Sequence, residues 1–478
     1  MEIVKRFSTF GLIVGTRGFF NPQLAATARE KLIKKLDAMG HQYIIPTEKE
    51  TPNGAIETRA DARICAELFS RNREIIDGII VVLPNFGDEI GIVQTIQLSD
   101  LDVPVLVHAC SDDLDKLDLK HRRDAFCGKI SVCNNFYQYG IPFTDTTGHT
   151  DRIESKTFER DIDFFSRVCR VVRGLKRARI GAIGARPAPF QTVRYSEKLL
   201  QACGITVVPE DLSTIIYSAE SIQKQDSRIE KTVERISAYG FIPEDVSTES
   251  IKKQARLTIA LEQWMEENEC DASAVQCWTS IEENYGCAAC LSMSLMGESG
   301  FPSACEVDVT GAVSMYALLL ASGNPPALQD WNNNYEYDKD KCINVHCSNY
   351  PKTFMGSEIE ISSLDVLGAS LGPENCFGAV KGKVASGPMT FFRVSTDDRR
   401  AAIHCYLGEG DFTDDPCAIA GGGAVCRVPG LRQLMRWICK NGFEHHIAVT
   451  RGHCADVIYE AVSTYLKWDI HYHGHGDD

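Results

Sequence analysis

Short apolar runs alternate with amphipathic stretches through the first third of the chain. Ser8–Gly15 reads as a strand, Gln42–Ile45 as a second, Gly78–Leu83 as a third and Val103–His108 as a fourth. Between them, Pro22–Met39 (stopped by Gly40), Ala60–Ile76 and Gly91–Leu98 carry apolar residues at helical spacing. Continuous β-branched runs separated by helices predict a parallel sheet buried on both faces. The opening residues 1–7 also read as strand, not as a signal peptide. Ligands of such sheets sit outside the carboxyl ends of the strands, which places Arg17 and Asn85-Phe86-Gly87-Asp88 at the functional edge.

The same alternation continues in the next third. Thr157–Leu175, Val193–Cys203 and Ser250–Asn268 are predicted helices, with strands at Arg179–Gly184, Ile205–Pro209 and Ala274–Cys277. Gly181 and Gly184 mark a tight strand exit, but the full dinucleotide fingerprint is missing. From about residue 344 the texture changes to short segments spaced by glycine and polar turns. They are 357–361, Phe377–Val384, Pro388–Ser395, Ala401–Leu407 and Ala424–Val428, and they predict an antiparallel sheet or barrel. Gly430–Asn441 and His453–Leu466 return to helix. The predicted fold is two parallel-sheet, Rossmann-like α/β domains (1–150 and 151–343). A mostly antiparallel β domain with closing helices (344–478) follows.

Composition narrows the function. At 478 residues several cores are expected, and a formal charge of −15 excludes a basic face for nucleic acid or anionic membrane. No apolar run reaches transmembrane length. Nineteen cysteines scattered through buried-looking segments imply reduced thiols in a cytoplasmic protein. Cys287 and Cys290 form a Cys-x-x-Cys pair with no second pair at zinc-ribbon spacing.

Four potential metal ligands follow one another in the second half: Glu306, Asp330, His346 and His446. Two carboxylates with imidazole suit a borderline-hard divalent ion such as Mn²⁺. Glu306 is expected at a strand end or turn, with Asp308 or Thr310 free to cap the next helix. That helix, Ala312–Ser322, is stopped by Gly323 and Pro325-Pro326, and a loop carrying Asp330 is expected to return toward Glu306. Asn332-Asn333-Asn334 suits a turn or sugar hydroxyls. The final His471, His473 and His475 read as a solvated tail.

The run from Glu306 to Asp330, with Asp308 and Gly311 behind the first carboxylate, resembles the metal motif of the L-fucose isomerases. His446 followed by His453 and Asp456 resembles that family's closing histidine segment. The doublet His445-His446 is closer to the related L-arabinose isomerases, in whose pattern His346 is the fourth ligand. The resemblance implies Glu306, Asp330 and His446 as ligands, with Glu306 and Asp330 also moving protons. It leaves His346 open between ligand and substrate-orienting residue. Gln276, Trp278, His445 and, across a subunit contact, Arg17 would meet the sugar, and His453 would either meet it or support the ligand histidine. The implied activity is interconversion of an open-chain aldose and its 2-ketose, on an L-fucose- or arabinose-type sugar or a far-end-modified (for example sulfonated) hexose. Arg17, Arg186 or Arg194 would serve an anionic far end. A homotrimer or homohexamer is implied too. A catalytically silent sugar-binding protein, or an epimerase or lyase sharing the enediolate, are the rival readings.

Overall fold

The structure is a computed structural model that describes residues 7–118, 120–356 and 358–474. The expectations at residues 1–6, at the start of the segment 357–361 and at His475 lie outside the described residues. The chain forms two compact units, one of residues 7–173 with Glu460–Lys467, the other of Gly174–Tyr459 with residues 468–474.

The first unit holds an all-parallel sheet: β1 (Thr9–Val14), β2 (Gln42–Ile44), β3 (Gly78–Leu83), β4 (Val105–Ala109) and β5 (Thr144–Asp145), in the order β2-β1-β3-β4-β5. Every residue of β1, β3 and β4 is buried, because both faces are covered. Ile13, Ile79, Val81 and Val107 pack on one side; Leu12, Ile80, Val82 and Leu106 pack on the other. Lys156–Leu175, read from sequence as the head of the second segment, instead lays Phe158, Ile162 and Phe165 on the first sheet. Ala60–Ile76 is shorter than predicted, at Arg59–Arg71 with a Thr58/Asp61 capping box. Ala125–Tyr139 is a helix the pattern did not reveal.

The second unit begins with β6 (Arg179–Ile183), β7 (Thr206–Glu210), β8 (Ala272–Val275) and β9 (Ser303–Ala304), parallel in the order β7-β6-β8-β9. The predicted helix Val193–Cys203 is reduced to Glu197–Ala202 after a single turn at Gln191–Val193. Leu212–Ser221 and Ser227–Ser237 are further helices. Val309–Ser322 is buried at all but two positions and packs against β8.

The remaining strands are β10 (Ala327–Asn334), β11 (Lys341–His346), β12 (Glu360–Ser363), β13 (Phe377–Lys383), β14 (Gly387–Asp397), β15 (Ala402–Phe412), β16 (Gly422–Arg427), β17 (His446–Arg451) and β18 (Asp469–Tyr472). They form a nine-stranded sheet in the order β12-β13-β16-β11-β10-β17-β14-β15-β18. A further pairing of β15 with β16 closes six antiparallel strands into a ring. β10 and β11 pair across position 343, so this sheet starts upstream of the textural change at 344. Asp330 is therefore in a central strand, not in a loop. His453–Leu466 is helical only over Ala455–Tyr459 before widening into a π-helical turn. Among the described residues no helix is long and apolar enough to cross a membrane.

Candidate metal centre

The site is assembled where the carboxyl ends of the second parallel sheet meet the strand ring. Glu306 lies two residues past the end of β9, after Cys305. Glu306 and Val307 both take the left-handed conformation, with φ of 54° and 57°. That conformation is costly for a β-branched residue such as Val307 and is typical of functional turns. Asp308 then caps the buried helix Val309–Ser322, its Oδ1 accepting from the Gly311 amide at 2.8 Å. A Cβ at Gly311 would lie 2.5 Å from Asp308 Oδ2, so only glycine admits this close approach.

Three strands supply the other groups. Asp330 is in β10, and His446 opens β17 directly opposite it in the antiparallel register. His346 closes β11. His446 Nε2 is 3.6 Å from Glu306 Oε2 and 3.6 Å from Asp330 Oδ1. His346 Nε2 is 3.7 Å from Glu306 Oε2. Glu306, His346 and His446 are buried, whereas Asp330 is half-buried. Both carboxylate atoms at the centre, Glu306 Oε2 and Asp330 Oδ1, are buried without a hydrogen-bond partner. Such orphaned acceptors are costly unless a cation or donor meets them. Donors about 2.1 Å from one ion and 90–120° apart lie roughly 3.0–3.6 Å from each other. The donors form two trios that share His446 and each fit a divalent ion: Glu306 with His346 and His446, and Asp330 with His445 and His446.

Two of the central groups, Glu306 and His446, are braced from behind. Trp278 Nε1 donates to Glu306 Oε1 at 2.9 Å and the Cys277 thiol donates to the same oxygen at 3.4 Å, leaving Oε2 free. His446 Nδ1 pairs with Asp308 Oδ2 at 2.9 Å, which points Nε2 at the centre. Arg393, fully buried on β14, clamps Asp308 with bonds of 2.6 and 3.0 Å and reaches Glu444 Oε2 at 3.2 Å. Burial alone would raise the Asp308 carboxyl, but Arg393 and His446 hold it well below the usual carboxylate range. Burial likewise works against the Arg393 charge, and Asp308 and Glu444 overcome it. Among the described residues no carboxylate meets His346 Nδ1, which lies 3.6 Å from Cys347 Sγ and 3.9 Å from Cys305 Sγ.

The other expected contacts divide. His445 is partly exposed beside the centre, Nε2 lying 3.8 Å from Asp330 Oδ1, and burial together with His446 lowers its pKa. Gln276 follows β8, and its Oε1 accepts from the Ala185 amide at 2.8 Å, bracing the Gly184 turn. His453 is not part of this cluster; it is more than half exposed and pairs with Glu409 at 2.7 Å. Arg17 belongs to the first unit, where it stacks 4.3 Å over Phe86 and donates to Gly87 O at 2.9 Å. Three groups escaped the sequence reading. Phe190, on the loop after β6, sets its ring 5.4 Å from Trp278, 5.7 Å from His445 and 6.1 Å from His446. Nothing in its Pro-flanked context signals this. Arg393 and Glu444 were missed too, although a lone arginine inside Phe-Phe-Arg-Val is the kind of buried charge that demands a partner.

The N-terminal domain model of the fucose/sulfoquinovose isomerases matches residues 11–176, and the L-fucose isomerase C-terminal domain model matches residues 344–473. Together they cover more than half of the chain. The chain belongs to the L-fucose isomerase family. Within it, the chain is similar to proteins named sulfoquinovose isomerase. The one from Priestia aryabhattai is 26% identical over 281 residues, covering 57% of this chain and 59% of the relative. That from Alkalicoccus urumqiensis is 26% identical over 328 residues, covering 67% and 69%. The Priestia match thus spans less than two thirds of the relative's length. Family membership and a divalent-ion cluster at Glu306 agree with each other.

Proposed function

We propose that this chain is a metal-dependent aldose–ketose isomerase acting on an open-chain aldose with an anionic far end, as in sulfoquinovose. The placement of two unpartnered carboxylate oxygens, Glu306 Oε2 and Asp330 Oδ1, each 3.6 Å from His446 Nε2, carries the reading. A borderline-hard ion such as Mn²⁺, when bound, supplies Lewis acidity toward two adjacent sugar oxygens. Glu306 and Asp330 divide the proton work, one carrying the proton between C1 and C2, the other serving the hydroxyl. Trp278 and Cys277 hold Glu306 Oε1, so the free oxygen faces the reacting carbons. Asp308 orients His446, and Phe190 with Trp278 walls the site against water. The substrate class is supported by the names of the similar proteins. Arg186 and Arg194, on the Phe190 loop, bond only to backbone carbonyls and pair with no carboxylate among the described residues. They are the groups left free for a sulfonate.

All nineteen cysteines are free thiols, which supports a cytoplasmic setting. A homotrimer or homohexamer, with Arg17 and His453 near the sugar, follows from the family resemblance; light scattering measures it. The deciding experiment is turnover of sulfonated hexoses, fucose and arabinose by metal-stripped protein with and without Mn²⁺, read by NMR in D₂O. Mn²⁺-dependent ketose formation with solvent deuterium at C1 or C2, lost in Glu306→Gln, is expected. Products epimeric at one carbon would instead make the enzyme an epimerase. Tight Mn²⁺ binding without turnover would make it a binding protein.

A further inference from the structure

Glu306 has two neighbourhoods. Oε2 faces His346 and His446, while Oε1 accepts from Trp278 Nε1 at 2.9 Å and also faces sulfur, with Cys277 Sγ 3.4 Å from it. Cys277, Cys305 and Glu306 can each present one donor atom, all within 4.8 Å of one another, and all three residues are buried. Sulfur and oxygen donors bound tetrahedrally at about 2.3 and 2.1 Å stand roughly 3.6 Å apart, close to the observed separation. Two thiolates and one carboxylate form a soft donor set. The two carboxylates and imidazoles on the other side form a harder one.

We propose that Cys277, Cys305 and Glu306 form a second cation site, selective for thiophilic ions such as Zn²⁺ or Cd²⁺, that shares Glu306 with the first. An incoming divalent ion forms two metal–sulfur bonds and one bond to Oε1. It releases both thiol protons to solvent, with no change of oxidation state. The Cys277 S–H hydrogen bond to Oε1 is replaced by a metal–oxygen bond, and Glu306 can no longer act as a free base. Thiophilic ions therefore inhibit without first displacing the ion held by Asp330 and His446. This inhibitory consequence rests on the proposed role of Glu306; the binding does not.

The test is a Cd²⁺ titration of the Mn²⁺-loaded full-length protein. Ultraviolet absorption follows thiolate-to-cadmium charge transfer, paramagnetic resonance follows Mn²⁺, and turnover is read in parallel. A stoichiometric charge-transfer band is expected, saturating together with inhibition while Mn²⁺ stays bound. The band should vanish in Cys277→Ser and in Cys305→Ser. Because either variant can misfold, the ¹¹³Cd resonance of the unaltered protein is measured too, and a shift in the range of mixed sulfur–oxygen ligation is expected. Absence of the band, its persistence in both variants, or an all-nitrogen/oxygen ¹¹³Cd shift would overturn the proposal. A band in a protein with no isomerase turnover would leave this site standing and remove the isomerase reading instead.

Discussion

Asp330 and His446 are directly opposed partners on β10 and β17, and His446 Nε2 lies 3.6 Å from Asp330 Oδ1. Two of the groups proposed to hold the ion are thus spaced by the strand register itself. A slip of β17 by one residue would turn His446 to the other face while Asp330 kept its own, so the site and the register stand or fall together.

The brace behind His446 is equally specific. Asp308→Asn keeps the shape but weakens the acceptor that orients His446 Nδ1. Mn²⁺ affinity, measured by calorimetry, should fall about 10–100-fold. Asp308→Ala should also destabilise the fold by about 3–5 kcal/mol, because Arg393 would keep its charge with Glu444 as its remaining carboxylate. An unchanged Mn²⁺ isotherm in Asp308→Asn would remove the orienting role.

Stripping the ion should lower thermal stability as well as activity. With free Mn²⁺ at about 100 times its dissociation constant, bound ion adds about 2.7 kcal/mol to the folded state. A melting scan with and without Mn²⁺ reads this difference. Glu306→Gln should show little or no Mn²⁺-dependent shift, since Oε2 is one of the two orphaned acceptors.

Glu282, on the short helix after Trp278, is buried with neither carboxylate oxygen partnered. Burial pushes its pKa up from 4.5 to about 8. Between those values the folded chain holds a proton that the unfolded chain has released, so stability falls as pH rises through that window. Glu282→Gln should therefore stabilise the protein at about pH 9, by on the order of 3–5 kcal/mol, and change little near pH 4. Denaturant titrations at the two pH values check the sign. Equal differences at both would show that folding leaves the carboxyl's titration unchanged.

Arg186 tests the substrate class. Losing a guanidinium that pairs with a sulfonate should cost about 1.5–3 kcal/mol, or roughly 10–100-fold in kcat/KM. Arg186→Ala should show that loss on a sulfonated hexose and little change on neutral fucose. Equal losses on both sugars would assign Arg186 to loop structure.

The parallel sheets were legible in the sequence because residues such as Gly78–Leu83 are apolar at every position, as two covered faces require. β10 was not legible: only its first three residues are buried, and Asn332-Asn333-Asn334 suits a turn or sugar hydroxyls equally well. Its strand character comes from β11 and β17 on either side. The order Glu306, Asp330, His346, His446 could be read along the chain. The Asp308–Arg393 clamp could not, because it joins residues 85 apart through a helix and a strand whose contact is tertiary. Phe190 was invisible for the same reason, reaching His446 from a loop more than 200 residues upstream.

β17 runs between β10 and β14 in the strand ring, and His446 is its first residue. A ribosome that has already made Glu306 and Asp330 must add more than a hundred residues before His446 emerges. Until β17 slots into its gap, the two carboxylates lack the imidazole and the register that hold them together. An ion that needs His446 can therefore be held only once β17 has taken its place, so closure of the strand ring comes before the loaded site.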